Sequence, residues 1–217
     1  MKQINRLPSG GIWMMLGLLL LLAALGLTAY NLWDERRAQA SVDQALIRLE
    51  TVLPQIQEQE QEMTENVPET VVPDEELPDY VRYPEMDMPT VSVDGVEYLG
   101  TLEVPVLSLT LPVIQEWSYP LLRLAPCRYS GSVYLENLVI CGHNYGGHFG
   151  QLKTLQAGDE VRFTDPAGNC FAYSVTAMEV LEATAGEDME AGEWDLTLFT
   201  CTVGGQSRLA VRCDATE

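Results

Sequence analysis

Three residue types that together perform acyl transfer stand in this 217-residue chain. Cys201 ends the run TLFTC, His143 ends NLVICGH, and Arg208 lies near the start of SRLAVRC. A thiol attacks a carbonyl well only beside a base or a positive field, and the tetrahedral intermediate needs donors aimed at its oxyanion. One cysteine, one histidine and one cation brought together meet both demands. Singly, each is weak. A cysteine in an apolar strand is more often core, a histidine after a strand is more often structural, and a lone arginine is usually a solvated charge. All three on strands that could lie side by side change that balance.

The elements that would position them read as β-structure. TLFTC and SRLAVRC are two strands joined by the Gly-Gly turn of TVGGQ, and that turn sets Arg208 opposite Cys201 across the ladder. Arg212 lies on the same face by strand alternation but four residues further along, about 13 Å away. Geometry therefore favours Arg208. EVRFTDPAGNCFAYSVTAMEVL alternates around an Asp-Pro-Ala-Gly turn and reads as a hairpin. From about Val91 onward, short β-branched and aliphatic runs broken by Gly and Pro predict a closed β-barrel or a sandwich over residues 90–217. No internal repeat is visible.

The N-terminal part has a different texture. Ile12 to Tyr30 carries no charge, and at about 1.5 Å rise per residue it spans about 28 Å, enough to cross a hydrocarbon core. A cleaved signal peptide is the rival reading, but its apolar region is usually only about 7–15 residues. The longer run here, followed by Tyr30, Trp33 and then charges, favours an uncleaved anchor within residues 1–33. Lys2 and Arg6 on one flank, with Asp34 and Glu35 offsetting Arg36 and Arg37 on the other, keep the N-terminus cytoplasmic and the rest outside. Val42, Leu46, Leu49, Leu53 and Ile56 form a helical stripe in a juxtamembrane segment, residues 34–63, that Pro54 would kink or end. Self-pairing of that helix and a plain solvated spacer are equally open. Residues 64–89 are acidic and proline-rich, and predict an extended linker. A passive tether is its simplest role, and folding back over a groove is the alternative.

Composition excludes several classes. A net charge of −20, from 12 basic and 32 acidic residues, argues against nucleic acid, which requires a basic footprint. Solubility by self-repulsion accounts for most of these carboxylates. Five cysteines without a CxxC pair, and only two histidines, leave no arrangement for structural zinc. No metal and no cofactor are expected. Disulfide pairing among Cys127, Cys141, Cys170 and Cys213 is left open by sequence. Cys141, two residues before His143, reads as packing.

TLFTC followed seven residues later by Arg208 resembles the sortase signature, a TLxTC strand whose cysteine is the nucleophile. GHNYGGHFGQL, Gly142 to Leu152, resembles the histidine loop of the same family. The resemblance extends over roughly Val96 to Cys213. It implies an eight-stranded sortase-type β-barrel, mainly β, behind a transmembrane helix and linker, in a membrane-anchored cysteine transpeptidase of Gram-positive type. By the same resemblance Cys201 is the nucleophile, His143 the general acid/base, Arg208 the oxyanion-stabilising residue, and Thr200 a residue that orders the site. His148 matches no motif position and reads as a loop residue. The implied substrate is a protein with an LPxTG-like C-terminal sorting signal, and the acceptor an amine of a cell-wall precursor or a pilin lysine.

Two family features bear on class. Pilus-building sortases often carry an N-terminal lid with an Asp-aromatic pair, and many have a second, C-terminal span. Neither is expected here, which favours housekeeping or minor-class anchoring over pilus polymerisation. The acidic stretch EATAGEDMEAGEW, where the family builds part of its peptide groove, would favour a basic sorting signal. Calcium binding there is not supported by ligand spacing. Two rival functions remain: an anchored extracellular binding or structural module with a sortase-like barrel, and a hydrolytic cysteine peptidase that uses water as acceptor.

Overall fold

The computed structural model describes residues 9–65, 77–202 and 204–216, and the chain falls into two compact units, residues 1–37 and 38–217. Helix α1, Ser9–Glu65, runs through both. In the first unit the side chains from Gly11 to Trp33 are exposed on every face of the helix. Leu and Ala dominate them, and the helix is long and apolar enough to cross a membrane. It continues past Pro54, where a kink or an end was expected.

The second unit is built on nine strands: β1 Val91–Val93, β2 Val96–Val104, β3 Leu109–Ile114, β4 Cys127–Ser130, β5 Leu138–Gly142, β6 Glu160–Thr164, β7 Cys170–Glu182, β8 Leu196–Cys201 and β9 Ser207–Ala215. Neighbouring strands run in the order β1-β2-β3-β4-β5-β8-β9-β7-β6, and β6 pairs back onto β2. Eight strands therefore close into a barrel, as expected, and closure removes the exposed edges an open sheet would present. β1 is an extra strand that pairs with the first residues of β2 through a two-residue turn. Asp94 and Gly95 take φ of 53° and 80° there, the positive-φ pair that a tight hairpin requires.

Closure depends on one glycine. β2 pairs with β1 up to Tyr98, then with β6 from Thr101, and its register on β3 shifts between Tyr98 and Gly100. Gly100 has φ 139°, and a Cβ added there would overlap the main-chain carbonyl of Thr164, the residue paired with Thr101. Only glycine lets the two backbones approach so closely while the strand bends. Inside the barrel, Leu99, Leu102, Leu111, Ile140, Phe163, Leu196 and Leu198 are fully buried. Alternation along β8 sends Leu196 and Leu198 inward and leaves Phe199 and Cys201 partly exposed.

The segment Ala38–Leu49 of α1 packs on the barrel rather than standing as a solvated spacer. Ala38, Val42, Ala45 and Leu49 are all at least nine-tenths buried, and Val42, Ala45 and Leu49 belong to the barrel's own core, with Leu46 packed beside them. The spacing of 4, 3 and 4 is one helical face, and its two alanines let the helix lie close to the barrel. Burying Val42 and Leu49 contributes about 2 kcal/mol each. At the far end of this contact, Arg48 forms an ion pair with Asp94 of the β1–β2 turn.

Part of the stretch expected to be linker is ordered on the barrel. Asp79–Arg82 forms a short helix, α2. Tyr80 stacks on Tyr134 with ring centroids 5.0 Å apart and meets Phe171 edge-on at 5.4 Å. This corrects one expectation: an acid–aromatic pair, Asp79–Tyr80, does occur within residues 64–89. Tyr80 lines a pocket with Val133, Phe171 and Thr216, which shares no residue with the groove at Cys201. The fold-back expectation for residues 66–76 lies outside the described residues. Two further short helices, α3 at Tyr119–Leu122 and α4 at Gly186–Glu190, sit in the β3–β4 and β7–β8 connections.

Replacing Gly100 with Ala strains a positive φ and forces a methyl group into the Thr164 carbonyl. The variant is expected to lose about 2–3 kcal/mol of stability, measured as a drop in urea midpoint at unchanged slope. An unchanged midpoint would mean that β2 closes onto β6 without this contact.

Candidate active site

Two ladders meet at β8. On one side it pairs in parallel with β5, Gly142 opposite Thr200, so that His143 and Cys201 leave the same end of the sheet as neighbours. On the other side it pairs antiparallel with β9, Cys201 opposite Arg208. The turn after Cys201 is closed by Thr202, whose main-chain N–H donates to Ser207 at 3.0 Å and whose hydroxyl lies 2.7 Å from the Ser207 hydroxyl. The Arg208 guanidinium donates to the carbonyls of Gly205 and Ser207 at 3.2 Å each. Both bonds come from one guanidinium nitrogen, Nη1, which ties the group to the turn, and Arg208 also lines the groove. Cys201, His143 and Arg208 are each half-buried, the setting in which a side chain is both ordered and reachable.

Gly142 explains the Gly-His pair in structural terms. A Cβ at Gly142 would meet the Phe149 ring at 2.6 Å, so the histidine loop folds back over its own first residue. The Phe149 N–H donates to the His143 carbonyl at 3.0 Å, and His148 and Gly150 donate to the Tyr145 carbonyl at 3.0 and 2.9 Å. The rings of His143 and Tyr145 are 4.8 Å apart, and those of Tyr145 and His148 5.6 Å apart. His148 is a loop residue, but it is completely buried. Burial and then the nearby His143 push its pKa down to about 4, with the Ala38 main chain pulling the other way. It is a neutral ring at physiological pH.

Thr200 points inward, is 3% exposed, and its hydroxyl has no hydrogen-bond partner among the described residues. Such a group ordinarily costs about 1–3 kcal/mol. It also lines the groove beside Cys201.

The groove itself, about 230 Å³, runs between Cys201, Arg208 and a wall of aromatic rings. Phe199 meets Tyr129 edge-on at 5.2 Å, Tyr129 lies 5.9 Å from Trp117, and Trp117 meets Tyr119 edge-on at 5.8 Å. Sequence reasoning missed this wall. Only Phe199, two residues before the thiol and hence on its face, was legible as part of it.

Arg212 shares the face of Arg208 and has a different task. It is 2% exposed. It donates to the Thr197 hydroxyl at 3.1 Å, to the carbonyls of Met189 and Asp188 at 2.8 and 2.5 Å, and to the Glu179 carboxylate at 3.2 Å. Two of these acceptors are main-chain groups of α4, so Arg212 clamps α4 over the outer face of β8 and β9. Met189, buried under that clamp, packs with Val139 and Ala210 and lines the groove.

The remaining thiols separate by environment. All five cysteines are free. Burial pushes Cys141 and Cys213 up to about 12, and pushes Cys127 higher still, with Cys141 adding to that shift. A thiol with so raised a pKa carries almost no thiolate at neutral pH and is a poor nucleophile. Cys170 is exposed but stands at the start of β7, outside the groove.

Residues 102–216 match the family model of the sortase domain, which is more than half of the chain. The chain belongs to the sortase family and is a sortase-type cysteine transpeptidase. Its fold is similar to that of sortase C1 from Streptococcus agalactiae, at 22% identity and a TM-score of 0.51, covering 58% of this chain and 71% of that one. It is also similar to sortase C from Streptococcus pneumoniae, at 25% identity and a TM-score of 0.50, with the same two coverages. No curated protein matches the chain.

Two predictions follow from these environments. Iodoacetamide at pH 8 is expected to label Cys170 and Cys201 in the folded protein and to spare Cys127, Cys141 and Cys213 until denaturant is added, read by peptide mass. Replacing Arg212 with Met strands four acceptors and releases α4. Stability should fall by about 3 kcal/mol, and KM for a groove-binding peptide should rise more than kcat falls.

Proposed function

We propose that Cys201 is the nucleophile, His143 the general acid/base and Arg208 the oxyanion-stabilising residue of a transpeptidase acting on an LPxTG-like sorting signal. The observation that carries this reading is the register of β8: one strand end delivers the thiol directly opposite Arg208 and beside the residue that follows Gly142. Cys201 Sγ, as thiolate, attacks the carbonyl carbon of the Thr–Gly bond. The oxyanion that forms is met by the Arg208 guanidinium, whose charge and planar donors suit it. As the intermediate collapses the C–N bond breaks, His143 gives its proton to the departing glycine amine, and a thioester to Cys201 remains. An incoming amine then attacks the thioester carbon and gives a proton to His143, and the C–S bond breaks to release the Cys201 thiolate. Thr200 places its hydroxyl beside the reacting strand end.

The aromatic wall suits an apolar, proline-containing stretch of peptide lying along the groove. The acidic flank of α4, with Glu187, Asp188 and Glu190 in or beside it, favours a signal with basic residues next to the cleaved bond. The acceptor is an amine of a cell-wall precursor or a pilin lysine. The Streptococcus pneumoniae sortase C to which the fold is similar is described in terms of pilin substrate specificity, which keeps the lysine acceptor in view beside the anchoring role. Helix α1 is proposed as a single-pass anchor with its N-terminus cytoplasmic, which places the barrel outside, where sorting signals and cell-wall amines occur.

A quenched LPxTG-type peptide library, offered to the full chain in micelles with and without a glycine or lysine amine, tests the reading. Amine-dependent transfer is expected, with faster turnover of peptides carrying Lys or Arg near the scissile bond. Cys201→Ala should abolish thioacyl capture, His143→Ala should abolish transfer, and Arg208→Lys should cost about 100-fold in kcat. Cys141→Ala and Cys170→Ala should retain capture. Cleavage indifferent to amine would mark a hydrolytic peptidase, and no cleavage of any signal would mark a binding module. Capture retained in the Cys201 variant would sink the assignment.

A further inference from the structure

We propose that the Ala38–Leu49 segment of α1 is a working part of the active site, and that His148 is the positioning residue through which it holds His143. The proposal rests on the assignment of His143 as general acid/base. The loop that begins at His143 takes no part in the barrel's strand pairing until β6. Its shape is therefore set by its own turns and by whatever packs against it. On one side the Phe149 ring seats it over Gly142. On the other side stands the helix. A methyl group added at Gly147 would overlap the amide oxygen of Gln39, and even the Gln39 Cβ lies only 3.5 Å from that point. Gln39 is itself held by a bond from its Nε2 to Asp43 at 2.9 Å.

His148 fills the space between these surfaces. It is 0% exposed, its ring meets Tyr145 edge-on, and Tyr145 in turn lies against His143. The Ala38 main chain is close enough to act on its ring. A continuous chain of packed groups therefore runs from the helix through His148 and Tyr145 to the His143 ring. Among the described residues neither ring nitrogen of His148 has a hydrogen-bond partner of ordinary geometry, the Ala38 main chain acting on the ring only weakly, so its main contribution is the flat ring itself. Buried nitrogens left without partners oppose folding, so what a full-sized ring contributes at this place is its shape. Val42, Ala45 and Leu49 keep the helix against the barrel and thereby keep the far wall of the His148 site in place.

The experiment uses the full chain in detergent micelles with two readouts. One is hydrogen exchange at the amides of residues 147–150, compared with the β6–β7 hairpin. The other is kcat and KM for a fluorogenic LPxTG-type peptide. His148→Ala, and separately the pair Val42→Ala with Leu49→Ala, should raise exchange in 147–150 at least tenfold while leaving the hairpin unchanged. Both should lower kcat about tenfold with KM within twofold. Combining them should add little further, because both loosen the same contact. His148→Phe, which keeps the ring and discards the nitrogens, should restore kcat and exchange to within threefold of the starting protein. Loss in His148→Phe equal to that in His148→Ala would overturn the proposal, as would faster exchange with unchanged kcat, or unchanged exchange with reduced kcat. Faster exchange spread over the hairpin as well would reduce His148 to a general stability element and also overturn it. Should the starting protein cleave no signal at all, the functional assignment falls, and the exchange comparison still decides whether helix, His148 and loop are coupled.

Discussion

The site depends on β8 being paired on both sides, in parallel with β5 and antiparallel with β9. Register in a sheet is all-or-none, because a slip of one residue turns every side chain to the opposite face. A slip of β8 by one place would bury the Cys201 thiol inside the barrel and expose Thr200. What prevents it is the apolar demand of the interior. Leu196 and Leu198 are wholly buried, and no neighbouring register buries both. The position of Cys201 is thus held by two leucines buried in the barrel, away from the groove.

The two arginines of β9 show how one strand face serves opposite ends. Arg208 sits at the open end of the ladder, tied among the described residues to two turn carbonyls through one guanidinium nitrogen. Arg212, four residues on, has its guanidinium bound by four acceptors and has become structural. The first lines the groove, where the proposed oxyanion would form, and the second is bound to carbonyls already present. Their separation along the strand is what distinguishes them, since both are arginines on one face of the same element.

Much of this barrel was legible in the chain. The β6–β7 and β8–β9 hairpins announce themselves by alternation and by turn residues, and the short turn between Cys201 and Arg208 dictates their pairing because local geometry decides it. What escaped is non-local. The helical stripe was visible, but Leu46, Leu53 and Ile56 drew the eye away from Ala38 and Ala45, whose value lies in being small against a surface that the sequence does not display. His148 looked like an unremarkable loop residue because burial of a loop side chain depends on which element lies over it. Trp117, Tyr119 and Tyr129 join the groove only when the β3–β4 connection meets the outer face of β8, across a sequence distance that no periodicity records. Asp79–Tyr80, also overlooked, was hidden among prolines and acids that suggested a featureless linker.

Cys127 and Cys141 stand directly opposite each other on β4 and β5, and Cys213 lies in the same interior. The order of assembly gives these thiols a vulnerability that the finished barrel does not have. Closure needs β2 to find β6 and β5 to find β8, pairings between strands some sixty residues apart, and contacts of such long range form slowly. Until they form, five thiols share one mobile chain, and in an oxidising compartment each can be trapped in a bond to any other. Cys201, the proposed nucleophile, is among them. Completion of the fold withdraws Cys127, Cys141 and Cys213 from solvent, so barrel closure acts as the chain's own protection against their mispairing with Cys201.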